Sequence, residues 1–273
     1  MGVYMKKMMT ALAAVTLLMG VSACKQASDD ATTETATASG IAGTWKANVD
    51  SAEFENNTTS FLLTDGTFTC ESCLPPFSVA ADGTWQKVDR PGFDAQKVEV
   101  VNDRTVKSSR RLGDKEISVA TFTVSEDGKT LTNNWTNLDG DVPTKGSTIF
   151  TRTKAGPNGS QAMSGDWAVA NIGTMSDAAL ISTNSLDGDK YTSKGNDGGF
   201  TAVLGGEPVA IDGDNSGTLV AVAATGNNSY RETYTRDGKV VSVVDLVVDG
   251  DTLSGTSTDP RDNSVLRWTA TRQ

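Results

Sequence analysis

An internal repeat is the feature that most limits what this chain can fold into. Three sequence matches recur 122 positions apart: Gly43-Thr44-Trp45 with Gly165-Asp166-Trp167, Asp65-Gly66 with Asp187-Gly188, and Gly128-Lys129-Thr130-Leu131 with Gly250-Asp251-Thr252-Leu253. Separated matches at one offset indicate a tandem duplication. Each copy, at about 110 residues, is long enough to bury a core of its own.

Each copy contains short segments rich in threonine, valine and aromatic residues, which are typical of β-strands. In the first copy these segments are residues 61–64, 67–70, 84–88, 97–101, 105–111, 116–124, 130–137 and 148–152. Asp-Gly pairs, which favour tight turns, begin at Asp65, Asp82, Asp127, Asp139, Asp187 and Asp237. No segment after residue 40 has helical spacing. The pattern predicts an all-β fold of two tandem antiparallel meander barrels, residues 41–154 and 163–273.

Residues 1–23 have the features of a signal peptide. Lys6 and Lys7 precede a mostly apolar run, residues 8–19, which is shorter than the roughly 20 residues of a membrane-spanning helix. Val21-Ser22-Ala23-Cys24 resembles the bacterial lipobox, in which the cysteine receives lipid, palmitate included, and becomes the mature N-terminus. Lys25, rather than aspartate, resembles an outer-membrane sorting signal. We expect a lipoprotein anchored through Cys24 to the periplasmic face of the outer membrane.

Residues 24–40 separate the predicted anchor from the first barrel. Residues 25–40 contain no aromatic residue and no leucine, isoleucine or valine. Such a segment cannot bury enough apolar surface to offset the entropy lost on ordering, so it predicts a disordered tether. A second linker, residues 155–160, lies between the two copies.

The Gly-x-Trp that opens each copy, the meander of strands and an arginine on the last strand resemble the lipocalin and wider calycin barrels. The chain is also similar to bacterial lipocalin-like lipoproteins with two tandem repeats. The resemblance implies that the tryptophan packs across the barrel floor and that the late arginine lies over its ring. Here it implies the pairs Trp45 with Arg152 and Trp167 with Arg272. A tryptophan in that place is either a structural plug or one wall of a ligand site.

The composition excludes several kinds of chemistry. The chain has no histidine, which removes Ser-His-Asp and Cys-His catalysis, histidine bases and imidazole zinc sites. Its 24 basic and 34 acidic residues give a net charge of −10, so nucleic acid is not an expected partner. Residues 212–217 begin like a calcium loop, but Ala223 stands where that loop needs a carboxylate. We predict no metal, no cofactor and no catalytic residue. A hydrolase using two carboxylates is the remaining enzymatic alternative.

The Cys70-Glu71-Ser72-Cys73 motif admits three interpretations. A thioredoxin-like redox site needs the motif at the start of a helix, whereas here a strand precedes it and Pro75 and Pro76 follow. A zinc site needs two further ligands. A disulfide between Cys70 and Cys73 fits an oxidising compartment and is the interpretation that the sequence favours.

Side chains that alternate along the strands predict what lines the barrels. Leu131, Asn133 and Trp135 share one strand face, as do Val106, Ser108 and Arg110. An interior lined partly by asparagine, serine and arginine suits a small hydrophobic or amphiphilic molecule. The first functional hypothesis is therefore a non-enzymatic lipoprotein that binds such a ligand, more in the first copy than in the second. The second is a scaffold with filled barrels that meets another envelope protein.

Overall fold

The computed structural model describes residues 40–273, which form two sheets of ten strands each. The predicted signal peptide, Cys24 and the tether as far as residue 39 lie outside the described residues. Both sheets are antiparallel and curve into nearly closed barrels, which confirms the predicted all-β class. The barrels are compatible with a calycin-like fold and a tandem repeat, although each has ten strands rather than about eight.

Barrel 1 is built from ten strands that follow one another along the chain. They are β2 (Thr58–Thr64), β3 (Thr67–Cys70), β4 (Phe77–Ala80), β5 (Asp82–Arg90), β6 (Phe93–Asn102), β7 (Thr105–Leu112), β8 (Lys115–Val124), β9 (Thr130–Asn137), β10 (Thr144–Ala155) and β11 (Gly165–Met175), preceded in the chain by β1 (Gly43–Glu55). Their order in the sheet is β4-β3-β2-β11-β10-β9-β8-β7-β6-β5. The sheet edges β4 and β5 lie beside each other, so the barrel nearly closes.

Barrel 2 combines the remaining strands of the second copy with β1. These strands are β12 (Ile181–Asp187), β13 (Lys190–Gly195), β14 (Gly198–Val203), β15 (Val209–Ala210), β16 (Leu219–Gly226), β17 (Ser229–Arg236), β18 (Lys239–Asp249), β19 (Thr252–Asp259) and β20 (Ser264–Arg272), after a short 3-10 helix at Asp177–Ala179. Their order is β14-β13-β12-β1-β20-β19-β18-β17-β16-β15. Backbone hydrogen bonds between Gly199 and Asp212 help to close the barrel.

The first strand of each copy lies in the barrel of the other copy. Strand β1 pairs with β20 through Trp45 and Arg272, and with β12 through Trp45 and Ser182. Strand β11 pairs with β10 through Arg152 and Trp167, and with β2 through Trp167 and Thr59. The predicted ranges 41–154 and 163–273 therefore do not each contain one complete barrel.

The connection between β10 and β11 explains this exchange of strands. Ala155, the last residue of β10, pairs with Gly165, the first residue of β11, so a loop of nine residues joins two antiparallel neighbours. A short loop costs less entropy to close than the distant contact between the two ends of the chain. Once β11 occupies the edge of β10, β1 is left to pair with the last strand, β20.

Two of the six predicted Asp-Gly pairs form tight turns with positive φ at both residues. Asp65 and Gly66 join β2 to β3, and Asp237 and Gly238 join β17 to β18, with φ values of 49°, 70°, 50° and 71°. Positive φ at both central residues is the requirement of the type I′ hairpin turn. Asp82-Gly83 is different, because it lies inside β5, where the register with β6 shifts.

Candidate functional site

The Trp–Arg pairs at the barrel floors are real, but their partners are exchanged relative to the prediction. The guanidinium carbon of Arg152 lies 3.9 Å from the ring centroid of Trp167, and that of Arg272 lies 4.2 Å from the ring centroid of Trp45. The predicted pairs, Trp45 with Arg152 and Trp167 with Arg272, are wrong for this reason: each tryptophan is carried into the other barrel by its strand. Both tryptophans are 0% exposed.

Backbone groups fix these floors in the same way in both barrels. The indole nitrogens of Trp45 and Trp167 donate to the carbonyls of Ile41 (2.8 Å) and Met163 (2.9 Å). Arg152 donates to three carbonyl oxygens, each at 2.6 Å, and Arg272 donates to backbone carbonyls and to the carboxylate of Asp251. Because the rings and guanidinium groups are held by the protein itself, the geometry indicates a structural floor.

The glycine of each Gly-x-Trp is required by this arrangement. Gly43 and Gly165 have φ values of +138° and +124°, a conformation that L side chains rarely adopt. A Cβ at Gly43 would lie 2.6 Å from a guanidinium nitrogen of Arg272, and one at Gly165 would lie 2.3 Å from the carbonyl oxygen of Lys154. The glycine of the motif therefore allows the first strand to lie close to the strand that carries the arginine.

A cavity of about 240 Å³ lies where barrel 1 opens towards barrel 2. Its apolar wall includes Phe61, Phe68 and Phe122, whose rings pack together with centroids 5.7 Å and 6.0 Å apart. The volume exceeds the roughly 150 Å³ of an engineered apolar cavity that binds benzene, and lies just below the roughly 300–1,000 Å³ of sites for drug-sized ligands. The space therefore fits a small organic molecule.

Polar side chains predicted to face the interior do line this cavity. Ser108 and Arg110 on β7, and Asn133 on β9, are among its lining residues, as their alternation along the strands predicts. Gln96 on β6 lies opposite Arg110 in the sheet and also lines the space. Its side-chain nitrogen donates to the Ser108 hydroxyl at 3.0 Å. The cavity thus combines an aromatic wall with a band of polar groups.

The Cys70–Cys73 disulfide is present, which confirms the interpretation that the sequence favoured. The two sulfurs are bonded at 2.05 Å, and both cysteines are buried at the end of β3. They also line the cavity, beside Leu74 and Phe77. The segment after β3 therefore forms part of the cavity wall, which the sequence suggested only as a stiffened loop at one end of the barrel.

Barrel 2 is filled where barrel 1 is hollow. The pairs Val106–Phe122 and Ser108–Ala120 of barrel 1 occupy the sheet positions of Tyr230–Leu246 and Glu232–Val244 in barrel 2. Ser108 lines the cavity of barrel 1, whereas the larger Glu232 at the equivalent position is buried in barrel 2 between Tyr191 and Tyr234. A gap of only about 10 Å³ remains beside Tyr191 and Glu232, about the size that holds one water.

A buried carboxyl group is part of this filling. Glu232 is 2% exposed and accepts hydrogen bonds from the hydroxyls of Tyr191 (2.9 Å) and Tyr234 (2.6 Å). Burial raises the pKa of Glu232 above its ordinary value, even though the two hydrogen bonds favour the ionised form. Burial also raises the pKa of Tyr191 and Tyr234 well above their usual range, helped by the neighbouring carboxyl.

The loop at residues 212–217 is organised by its own hydrogen bonds. The carboxylate of Asp214 accepts from the Ser216 hydroxyl at 2.8 Å and from the backbone nitrogens of Ser216 and Thr218, each at 3.0 Å. In the part of the chain that the structure describes, no group of three or more cysteine, aspartate or glutamate side chains is placed to hold a metal ion. This carboxylate therefore serves the turn.

Among residues 40–273, no helix is long and apolar enough to cross a membrane. In comparisons with known proteins, no family model, no curated protein and no solved structure matches the chain. A proposal for its function therefore rests on the fold and the cavity.

Two arginines at the cavity were not singled out by the sequence. Arg90, at the end of β5, and Arg236, at the end of β17, both line the cavity although they come from different barrels. The alternation of buried and exposed residues identifies side chains within one sheet, but carries no information on which barrel ends face each other. The meeting of these arginines is therefore a property of the tertiary structure alone.

Proposed function

We propose that this protein is a lipid-anchored envelope lipoprotein that binds a small amphiphilic molecule in barrel 1 and has no enzymatic activity. The observation that carries the proposal is the cavity of about 240 Å³ with an aromatic wall and a polar band. The lipocalin-like closure of the barrels, with a tryptophan and an arginine at each floor, supports it. The complete absence of histidine supports a binding role over a catalytic one.

Barrel 2 supports a second function for the same molecule. Its interior is packed by Tyr191, Tyr230, Tyr234 and Glu232, so it offers no comparable space for a ligand. A filled barrel fits a scaffold that meets another envelope protein through its surface loops. On this proposal the first copy binds the ligand, and the second supplies a rigid body and one wall of the cavity.

The proposed anchor is lipid on Cys24, the first residue of the predicted tether, whose last residue is Gly40. One lipid chain binds membranes only marginally, whereas a multiply acylated cysteine holds firmly. In cells given radioactive palmitate, the full chain should incorporate label and the Cys24→Ala variant should not. Label that persists in the variant would contradict anchoring at this residue and would leave the binding proposal intact.

Ligand binding is tested with the neutral fluorophore 1-N-phenylnaphthylamine, using the full chain carrying Cys24→Ala so that no lipid anchor takes up the probe. Its fluorescence should rise on binding, because the cavity removes it from water. Ala120 lines the cavity, so Ala120→Phe should fill the space and abolish the signal. Thr123→Phe adds the same ring to an exposed position of the same strand and is the matched control. Equal signals from both variants would refute binding in this cavity.

A further inference from the structure

A row of polar side chains crosses barrel 1 at the level where it opens. Gln96 on β6 lies opposite Arg110 on β7, Arg110 lies opposite Ser118 on β8, and Ser118 lies opposite Asn137 on β9. All four line the cavity. Phe122 follows Ser118 by four residues on β8 and packs with Phe61, which packs with Phe68, so these three rings line the cavity beyond the polar row. The space thus has polar groups at one level and an apolar wall at the next.

Arg110 places a positive charge in the polar row, and none of the described carboxylates pairs with it. Within residues 40–273, no hydrogen bond or ion pair from another side chain reaches its guanidinium group, whose central carbon lies 4.6 Å from the ring centroid of Phe93. Stacking on a ring face leaves the N–H groups at the guanidinium edge free to donate. Burial, and then the charge of Arg90, lower the pKa of Arg110 to about 10, so it stays positively charged at neutral pH.

Two further arginines strengthen this positive region. The guanidinium carbon of Arg90 lies 4.6 Å from the ring centroid of Phe77, which packs against Phe93 at 6.4 Å. Arg236 reaches the cavity from barrel 2, and its charge contributes to lowering the pKa of Arg90. Positive charges held close to one another favour the binding of an anion between them.

The carboxylates at the cavity already have other partners. Asp139 accepts from the Lys115 ammonium group at 3.0 Å, and Asp197 accepts from the Asn137 amide at 2.9 Å. Asp214 accepts from the loop that contains Ser216, although its charge also raises the pKa of Arg236. None of these carboxylates affects the pKa of Arg110. Among the described residues, Arg110 is therefore the arginine of this region whose charge no carboxylate opposes.

Two buried amide oxygens also lack a partner inside the protein. Gln96 and Asn133 are 1% and 4% exposed, line the cavity, and have side-chain oxygens that accept no hydrogen bond. A buried acceptor without a donor costs about 1–3 kcal/mol, so sites of this kind are normally satisfied by a ligand or by ordered water. A carboxylate has no proton to donate to these oxygens, so ordered water is the partner that fits them, and the binding of an anion rests on Arg110.

From this arrangement we infer that the ligand is a small organic anion, a carboxylate on an aromatic or medium-length apolar body. The carboxylate binds the guanidinium edge of Arg110, with Arg90 and Arg236 adding positive potential, and the apolar body lies against Phe61, Phe68 and Phe122. The inference rests on the proposed function, because it names the class of molecule that the cavity binds.

Calorimetric titration with three octyl compounds tests the charge of the ligand, again on the full chain carrying Cys24→Ala. Octanoate, 1-octanol and octylammonium have eight carbons each and carry a negative, a neutral and a positive head group. Octanoate should bind at least tenfold more tightly than 1-octanol, and octylammonium should not bind. This comparison needs no cavity variant, so it holds whether or not such a variant folds.

The variant Arg110→Met then tests whether Arg110 is the residue that recognises the negative charge of the ligand. It should reduce octanoate affinity at least tenfold and leave 1-octanol affinity unchanged, since the methionine keeps an apolar stem. The melting temperature of the empty variant combines the removal of a buried charge with the loss of the Arg110–Phe93 contact, so affinity is the deciding measurement. Arg104→Met, at an exposed arginine that pairs with Glu126 outside the cavity, is the control and should change neither affinity.

The outcomes separate this inference from the proposed function. Equal binding of octanoate and 1-octanol would overturn the inference and leave an amphiphile-binding cavity. Binding of 1-N-phenylnaphthylamine but of none of the octyl compounds would do the same. An octanoate affinity that is unchanged in Arg110→Met would overturn the role of Arg110. Failure of every probe, the neutral fluorophore included, would refute the proposed function itself.

Discussion

The exchange of first strands predicts which tryptophan each arginine stabilises. Arg152 lies over Trp167, so the two side chains should be energetically coupled, whereas Arg152 and Trp45 should not be. The test is a pair of double-mutant cycles that combine Arg152→Met with Trp167→Leu in one cycle and with Trp45→Leu in the other. A pattern of pairing within each copy would give the reverse result.

The expected coupling follows from the geometry of the pair. A cation over an aromatic face contributes about 0.5–1 kcal/mol at exposed sites and about 2 kcal/mol when desolvated. The guanidinium carbon of Arg152 lies 3.9 Å from a ring that is 0% exposed, but Arg152 itself is only partly buried, so the pair falls between these values. The three hydrogen bonds that Arg152 donates are lost in both tryptophan backgrounds, so they cancel in the cycle.

The free energy of unfolding of each variant is measured by urea denaturation followed by circular dichroism. We expect a coupling of about 1–2 kcal/mol for Arg152 with Trp167, and none beyond about 0.5 kcal/mol for Arg152 with Trp45. A coupling of Arg152 with Trp45 that equals or exceeds the coupling with Trp167 would refute the exchanged pairing.

Three further perturbations test the barrels one feature at a time. Burial raises the pKa of Glu232 in the folded chain above its ordinary value of 4.5. Below pH 4.5 the side chain is protonated in both the folded and the unfolded chain. Between pH 4.5 and the raised pKa only the unfolded chain ionises, so the stability of the folded chain falls as the pH rises. The melting temperature of Glu232→Gln should therefore exceed that of the parent protein at pH 7 but not at pH 4, and a difference that is the same at both values would contradict the raised pKa. Replacing Cys70 and Cys73 with serine should lower the melting temperature by a few degrees, since closing so small a loop contributes about 2 kcal/mol, and no change would show that the disulfide adds no stability. Gly165→Ala should lower the free energy of unfolding in urea by at least about 3 kcal/mol, because the added Cβ is strained and meets the backbone. Gly159→Ala is the control: Gly159 also has a positive φ, but no atom lies within 4 Å of its added Cβ, so it should cost about 1 kcal/mol. Equal costs would show that the backbone contact does not matter.

Local features of the fold could be predicted because they depend on neighbouring residues. The predicted segments 67–70 and 130–137 have the same bounds as β3 and β9, and the alternation on β7 correctly places Ser108 and Arg110 in the interior. Strand β4 was missed because it is short and follows two consecutive prolines. Period-two patterns thus identify strands and faces, and fail where the strand is too brief to show a period.

The partners of the first strands could not be predicted from the same patterns. Strands β1 and β11 begin with the same Gly-x-Trp, so each one meets the side-chain requirements of either barrel floor. Only the short connection from β10 to β11 distinguishes the two arrangements, and that is a property of chain entropy rather than of side chains. The convergence of Arg90 and Arg236 was likewise hidden, because it depends on how two separately patterned barrels face each other.

The place of β1 in barrel 2 has a consequence for the order of folding when the chain emerges N-terminus first, as it does during export. Strand β1 is the first strand to emerge, yet its hydrogen-bonded neighbours are β12 and β20, and β20 is the last strand to appear. Barrel 1 has all its strands once β11 has emerged, so it can close before the rest of the second copy follows. In that interval β1 has no partner, although β10 presents an edge suited to a strand that begins Gly-x-Trp. The arrival of β11 on its short connection therefore decides the outcome, and a longer linker at residues 155–160 should increase the fraction of chains in which β1 occupies that edge.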